Sequence, residues 1–231
     1  LYKYLGGTSN YKMPTPMFNV INGGAHANNR LSFQEFMIIP VNNINFSESL
    51  RKSTEVFHNL KKIINDKGLS TSVGDEGGFA PNLDSESDAL DLISLAIKKS
   101  GFKLIDDFVF ALDVAATEFY KKNKYQLMTQ TKPFTSNEFS DFLKKLCKKF
   151  PIMSIEDPMA EDDWTGWSSL NSDLGDDIQI VGDDLFVTNL ERLKLGIEKK
   201  SANAILIKLN QIGTLTAVSY THLRAHETRI H

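Results

Sequence analysis

The fold is decided by four short apolar runs that each end on a charged residue: FVFALD (108–113), IMSIE (152–156), IQIVGD (178–183) and AILIK (204–208). The charged ends are 43 (113 to 156), 27 (156 to 183) and 25 (183 to 208) positions apart. This is the spacing of successive strand–helix units in a parallel α/β protein, whose strand carboxyl ends gather on one face. We therefore expect Asp113, Glu156, Asp183 and Lys208 to converge there. Convergent acids with a lysine beside them are typical of a metal site with a base.

Helical patterns separate these runs and precede them. Apolar residues with helical spacing and capping residues predict helices over Ser47–Asp66, Ser85–Ser100, from the Thr135/Glu138 capping box onward, and over Asn189–Lys200. Two earlier strands are predicted over Met17–Ile21 and Phe33–Ile39. The order is strand, strand, helix, helix, then repeated strand–helix, which predicts an α/β protein of the β/α-barrel type. An eight-stranded barrel typically needs about 250 residues, so six strands predict an incomplete barrel.

Composition excludes several classes of function. The chain of 231 residues is 41% hydrophobic and 24% charged, as is typical of a globular protein. Its net charge of −3 gives no basic surface for nucleic acid. No stretch approaches the roughly 18 apolar residues of a membrane span. The single cysteine, Cys147, has no internal disulfide partner, which favours a reducing compartment and a cytoplasmic location.

Lys208 is a candidate general base. It is flanked by Ile205–Ile207 and Leu209, and partial burial lowers the pKa of an ammonium group, so that the neutral amine becomes usable. The alternative is a lysine that extends its charged end into water from a strand terminus.

The three acids Asp113, Glu156 and Asp183 are candidate metal ligands. Carboxylates held together repel one another, and a bound divalent cation relieves that repulsion. An oxygen-only ligand set favours Mg²⁺ over zinc. The alternative is that each strand-end acid caps the next helix. We expect helix capping to fall instead to three neighbouring acids, Asp157, Asp163 and Asp184, which leaves the strand-end acids as ligands.

Two further segments carry candidate site residues. In VGDEGGF (73–79), glycines on both sides of an acid pair permit a tight turn that exposes Glu76. A turn needs the glycines but not the glutamate, which favours a functional role for it. The loop NGGAHANN (22–29) carries His26 and precedes Gln34 and Glu35, and such a loop can close over a substrate. Taken alone, this last pattern also fits an ordinary surface histidine.

Taken together, these motifs resemble the enolase family over residues 1–216. The matching runs, in that family's own order, are NGGAHA (22–27), QEFM (34–37), VGDEGG (73–78), SIEDP (154–158), DDLFVTN (183–189) and KLNQIGT (208–214). The resemblance implies an incomplete TIM-like β/α barrel of the enolase type. The runs YLGG (4–7) and AHAN (25–28) are more similar to bacterial enolases than to animal ones.

The resemblance implies a reaction and a role for each residue. The reaction is the reversible, Mg²⁺-dependent dehydration of 2-phosphoglycerate to phosphoenolpyruvate in glycolysis and gluconeogenesis. Lys208 matches the base, and Glu76 and Glu35 match the general acid and its partner, all three in contact with substrate. His26 and Gln34 match further substrate-binding residues. The Mg²⁺ ligands are matched by Asp113, Glu156 and Asp183.

The resemblance also predicts a domain division. Residues 1–12 match the end of an N-terminal domain and linker, 13–216 match part of the enolase barrel, and 217–231 have lost the apolar period of a helix. We expect 217–231 to be non-native sequence, and the 231-residue chain to lack activity because the N-terminal domain and last barrel strands are missing. The resemblance implies a small-molecule substrate as partner and a homo-oligomer for the full-length protein, and the net charge already argues against nucleic acid.

Two other functions use the same residues. A Schiff-base aldolase on a β/α barrel would use Lys208 as a covalent nucleophile. Trapping of substrate on Lys208 by borohydride would favour the aldolase, whereas loss of activity on removing Mg²⁺ would favour enolase. The third possibility is an inert chain or one that serves only as a binding surface.

Overall fold

The structure, a computed structural model, describes residues 2–6, 12–42 and 45–227. Its strands are β1 (Phe18–Asn22), β2 (Glu35–Pro40), β3 (Phe108–Asp113), β4 (Tyr120–Lys121), β5 (Lys124–Tyr125), β6 (Ile152–Glu156), β7 (Gln179–Gly182) and β8 (Ala204–Ile205). Its helices are α1 (Tyr2–Gly6), α2 (Phe46–Asp66), α3 (Glu86–Lys99), α4 (Ser136–Lys149), α5 (Trp164–Leu174), α6 (Leu190–Lys199) and α7 (Leu215–Glu227). Among the described residues, no helix combines the length and the apolar character needed to cross a membrane.

One six-stranded sheet organises the chain, in the order β1-β2-β3-β6-β7-β8. The pairs β1–β2 and β2–β3 are antiparallel, and the pairs from β3 to β8 are parallel. Over the described ranges β1 and β8 are the two edges and are not paired with each other, so the sheet is an incomplete TIM-like barrel. The predicted α/β fold class is confirmed.

All six predicted strands are present, with small shifts at their ends. The third begins at Phe108 and includes Asp113, as expected, and all six of its residues are buried. The last is shorter than predicted, because regular pairing ends at Ile205. One more backbone bond, from Leu206 N to Gly182 O at 3.0 Å, continues the path toward Lys208. The strand ends therefore deliver their charged residues to one edge of the sheet.

The predicted helices form where capping and apolar spacing coincide. Ser85 caps α3 by accepting a hydrogen bond from Asp88 N, and Thr135 with Glu138 forms a complete capping box on α4. The face of α4 that carries Phe139, Leu143 and Leu146 is buried in the core. These helices contribute their apolar faces to the core that also contains the buried strand residues.

The structure of the segment after residue 214 differs from what the sequence predicted. Residues 217–231 were expected to lack a helical pattern, yet Leu215–Glu227 forms α7, which packs against α6. The buried positions Val218 and Thr221 and the half-buried Ala225 lie three and four residues apart, as on one helix face. The face was missed because two of its members are small or polar. Whether the segment is native sequence stays a prediction.

Candidate active site

Three acids lie side by side where β2, β3 and β6 meet. Glu35 is the register partner of Asp113, and Asp113 is the register partner of Glu156. Asp113 is buried and Glu156 is half-buried. Burial, followed by mutual repulsion with neighbouring acids, raises the pKa of both Asp113 and Glu156. The sheet register thus brings together carboxyl groups whose ionisation is unfavourable in the protein alone.

Asp183 and Lys208 lie on the next two strand ends and contact each other. The Lys208 ammonium forms an ion pair with Asp183 Oδ2, and Gln211 Nε2 donates to Asp183 Oδ1 at 2.8 Å. The backbone N–H of Lys208 donates to Thr188 Oγ1 at 3.0 Å, and that hydroxyl donates to Gln211 Oε1 at 2.6 Å. Gln211 and Thr188 therefore fix the geometry of the pair. No role was predicted for either, although both lie inside the DDLFVTN and KLNQIGT runs.

The predicted effect of burial on Lys208 is wrong in its net direction. Burial does act to lower the pKa of the ammonium, but the hydrogen bond and attraction to Asp183 outweigh burial and leave the pKa raised. The physical reason is that the Lys208 side chain is 44% exposed, so its desolvation is partial, whereas its contact with Asp183 is direct. In this arrangement Lys208 is a cation.

Asp157 performs a different task from the helix capping proposed for it. Its Oδ1 accepts from Asp183 N at 3.0 Å and its Oδ2 accepts from Asp184 N at 2.7 Å. Burial raises the pKa of Asp157 to about 7, although both of these bonds act to lower it. Asp157 thus holds the backbone that presents Asp183. Asp163 does cap a helix, because its side chain accepts from Gly166 N at the start of α5.

Carboxylates at this edge could hold a metal ion. One oxygen each from Asp157, Asp183 and Asp184 can be chosen so that all three lie within 4.8 Å of one another. The donor set is entirely oxygen, which suits a hard divalent cation. Both Asp157 oxygens accept backbone hydrogen bonds, and both Asp183 oxygens accept from Lys208 and Gln211, so a cation bound here would replace some of these hydrogen bonds. The residues present therefore fit a cation of this class.

The glycine turn predicted around Glu76 packs against the loop that carries His26. Asp75 N donates to His26 O at 3.0 Å, and Gly74 N donates to Gly78 O at 2.8 Å. A Cβ on Gly74 would lie 2.5 Å from His26 O, so this close approach requires glycine. The contact places Glu76 beside His26 and Glu35, whose ligand atoms also lie within 4.8 Å of one another.

Glu35 links the turn to the strand-end acids. Burial, followed by the nearby charge of Glu76, raises the pKa of Glu35, and Lys208 partly offsets the rise. His26 Nδ1 is 3.8 Å from Glu35 Oε1. On the other side, Gln34 Nε2 donates to Asp113 Oδ2 at 3.2 Å. The eight residues selected from the sequence are therefore neighbours at the strand ends and the adjoining turn.

A comparison with models of known protein families supports the family resemblance found in the sequence motifs. The model described as the enolase C-terminal TIM barrel domain matches residues 10–229, which is almost the whole chain. The match includes every residue of the site described above.

Proposed function

This chain belongs to the family of enolase C-terminal TIM barrel domains, and on that premise we propose that it acts in the Mg²⁺-dependent dehydration of 2-phosphoglycerate to phosphoenolpyruvate. The observation that carries the proposal is the pairing of Lys208 with Asp183 beside the register-matched acids Glu35, Asp113 and Glu156. A base, a metal-binding edge and a protonated acid are the three parts that this reaction needs.

The metal-binding part is assigned to Asp113, Glu156 and Asp183, as the family resemblance implies. When bound there, Mg²⁺ neutralises the acids and stabilises negative charge that develops on the substrate carboxylate. The raised pKa values of Asp113 and Glu156 support this assignment, because a site built to hold a cation is expected to be strained by repulsion without one.

Lys208 removes the proton from the carbon beside the substrate carboxylate. The electron pair of the broken C–H bond moves first toward the substrate carboxylate, giving an enolate, and the proton stays on the lysine. When hydroxide leaves the neighbouring carbon, that electron pair becomes the second bond between the two carbons. To accept a proton, the amine must first lose the one that it now shares in the ion pair with Asp183. Thr188 holds the Lys208 backbone and Gln211 holds the Asp183 carboxylate, and the lysine side chain is 44% exposed, so the ammonium can release this proton to water.

Glu76 and Glu35 complete the reaction at the neighbouring carbon. A carboxylic acid of this pair donates its proton as the C–O bond breaks, and hydroxide leaves as water. Burial and the proximity of Glu76 keep the pKa of Glu35 raised, so one proton is retained by the pair nearer to neutral pH than an isolated glutamate allows. His26 and Gln34 are placed to contact the substrate from the loop and from the start of β2.

The family also supports the wider setting that we propose. For this chain we propose a role in glycolysis and gluconeogenesis, a cytoplasmic location and a homo-oligomeric assembly. We also propose that its partners are small molecules and that its sequence is of the bacterial type. The aldolase alternative also requires a neutral amine at Lys208, so the charge state of the lysine does not separate the two functions. The match to the enolase C-terminal domain is what favours the dehydration.

The test is the formation of phosphoenolpyruvate, followed by its ultraviolet absorbance. Two proteins are assayed: the 231-residue chain, and a chimaera in which residues 13–216 replace the matching segment of a known enolase. The chimaera should be active with Mg²⁺ and inactive with EDTA or after Lys208→Ala. Lys194→Ala, at a surface ion pair with Glu191, is the matched control and should retain activity. An inactive chimaera that is folded, or an active Lys208→Ala variant, would reject the proposal.

A further inference from the structure

Glu86 is a buried acid outside the site described above. It is the first residue of α3, its exposure is 1%, and within the described ranges it forms no salt bridge with a lysine, arginine or histidine. A carboxylate so deeply buried is unfavourable unless other groups satisfy its oxygens. Burial raises the pKa of Glu86, and hydrogen bonds from Ser32 and Thr129 partly offset the rise. The hydrogen-bond partners of its two oxygens therefore show what this buried carboxyl group does in the structure.

The two oxygens serve two different loops. Glu86 Oε1 accepts from Ser32 N at 3.1 Å, in the loop between β1 and β2, and Oε2 accepts from Thr129 Oγ1 at 2.8 Å, in the loop after β5. The loops are also joined directly, since Met128 N donates to Ser32 Oγ at 2.7 Å. The result is a closed hydrogen-bonded ring, the Glu86 ring, formed by Glu86, Ser32, Met128 and Thr129.

The Ser32 corner of the ring is close to the proposed active site along the chain. Two residues later, Gln34 contacts Asp113 twice, through Gln34 N to Asp113 O at 3.0 Å and through its side-chain amide. On the other side of Ser32, Leu31 O accepts from Gly24 N at 2.8 Å, which closes the short turn that carries His26. Fixing Ser32 thus fixes both arms of the loop.

We propose that Glu86 is a positioning residue that clamps the loop between β1 and β2 and thereby sets the placement of Gln34 and His26. The value of that placement rests on the proposed function, but the clamp itself does not. Because α3 begins at Glu86, its first backbone N–H groups and helix dipole favour an acceptor such as the Glu86 carboxyl group at this position. Two loops are in this way tied to the N-terminal end of α3.

Two variants of Glu86 separate a clamp from a general stabilising effect. In Glu86→Gln, the amide oxygen can still accept from Ser32 N and the amide NH₂ can donate to Thr129 Oγ1, so the ring is preserved. In Glu86→Ala, Ser32 N loses its acceptor in a buried position. Asn45→Ala is the matched control, because Asn45 also supplies an acceptor at a helix N-terminus, to Glu48 N at the start of α2.

Amide hydrogen exchange of the whole chain tests the clamp without any need for enzymatic activity. In Glu86→Ala the amides of Ser32 and Met128 should exchange about tenfold faster, because a buried hydrogen bond of ordinary strength is lost from a local opening equilibrium. Glu86→Gln should leave both rates within about threefold, and Asn45→Ala should not accelerate these two amides selectively. A uniform acceleration across the core in Glu86→Ala, or none, would overturn the clamp.

The side-chain amide resonance of Gln34 tests the positioning. It should move toward the position of a solvent-exposed glutamine in Glu86→Ala and return in Glu86→Gln. An unchanged resonance, with faster exchange at Ser32, would show that Glu86 orders the loop without positioning Gln34, and would reject the positioning role. Both readings are independent of phosphoenolpyruvate formation, so failure of the proposed reaction would not be confused with failure of this proposal.

Discussion

Lys208 and Asp183 form an ion pair between two neighbouring strand ends. The residue selected as a base is thus held by a residue selected as a metal ligand, and each neutralises the other. Burial alone would lower the pKa of Lys208, but the contact with Asp183 reverses the direction. The two roles are therefore coupled through one carboxylate.

The coupling predicts that Asp183→Asn lowers the pKa of Lys208, because burial is retained while the attraction to Asp183 is lost. Side-chain NMR titration of the lysine ammonium groups measures the pKa of Lys208. Glu191→Gln, which removes the partner of Lys194 at the surface, is the control and should leave Lys208 unchanged. A pKa of Lys208 that is unaffected or higher in Asp183→Asn would contradict the coupling.

The metal ligands can be identified by two single substitutions. The family resemblance assigns Asp113 with Glu156 and Asp183, whereas proximity alone groups Asp183 with Asp157 and Asp184. We predict that Asp113→Asn weakens Mg²⁺ binding by about tenfold or more, because a ligand is lost, while Asp184→Asn changes it by only a few-fold. Isothermal titration calorimetry gives both affinities. The reverse ranking would transfer the site to the Asp157, Asp183 and Asp184 group.

The buried acids predict how stability depends on pH in the absence of metal. A carboxyl group with a raised pKa binds its proton more tightly in the folded state, so its contribution is present at low pH and is lost as pH rises from the unfolded value near 4. For Asp157 the loss extends to about pH 7. We expect the melting temperature in EDTA to fall by several degrees between pH 5 and pH 8, since about 1 kcal/mol corresponds to roughly 2–4 °C in a chain of this size.

Two comparisons accompany this melting experiment. Mg²⁺ should reduce the fall, because it binds the deprotonated acids, and Asp157→Asn should flatten the pH dependence, because one titrating group is removed. A melting temperature that rises with pH in EDTA over this range would show that the acids are not destabilised by burial as described.

The sequence was informative where a property depends on local pattern. The apolar runs that end at Asp113, Glu156 and Asp183 predicted the strands and their common edge, because strand direction and alternation with helices determine where strand ends lie. The capping box at Thr135 was likewise correct, since it is formed within four residues. Such features need no knowledge of distant parts of the chain.

Properties that depend on distant contacts were not predictable. The pKa direction of Lys208 depends on Asp183, 25 positions away, and the task of Asp157 depends on backbone groups of the following strand end. Glu86 was not selected from the sequence, because its use depends on Ser32 and Thr129, which only the fold brings to it. Sequence pattern specifies which residues reach the edge, but their charge states are set by tertiary partners.

The most direct test of the assigned roles is exchange of the proton beside the carboxylate of 2-phosphoglycerate with deuterium in D₂O, followed by NMR in the chimaera with Mg²⁺. This exchange requires the base and the bound Mg²⁺ but does not require loss of hydroxide. We predict that it is abolished in Lys208→Ala and persists in Glu76→Gln, even though Glu76→Gln forms little phosphoenolpyruvate. Exchange that continues without Lys208, or that disappears with Glu76→Gln while Lys208 is intact, would contradict the account.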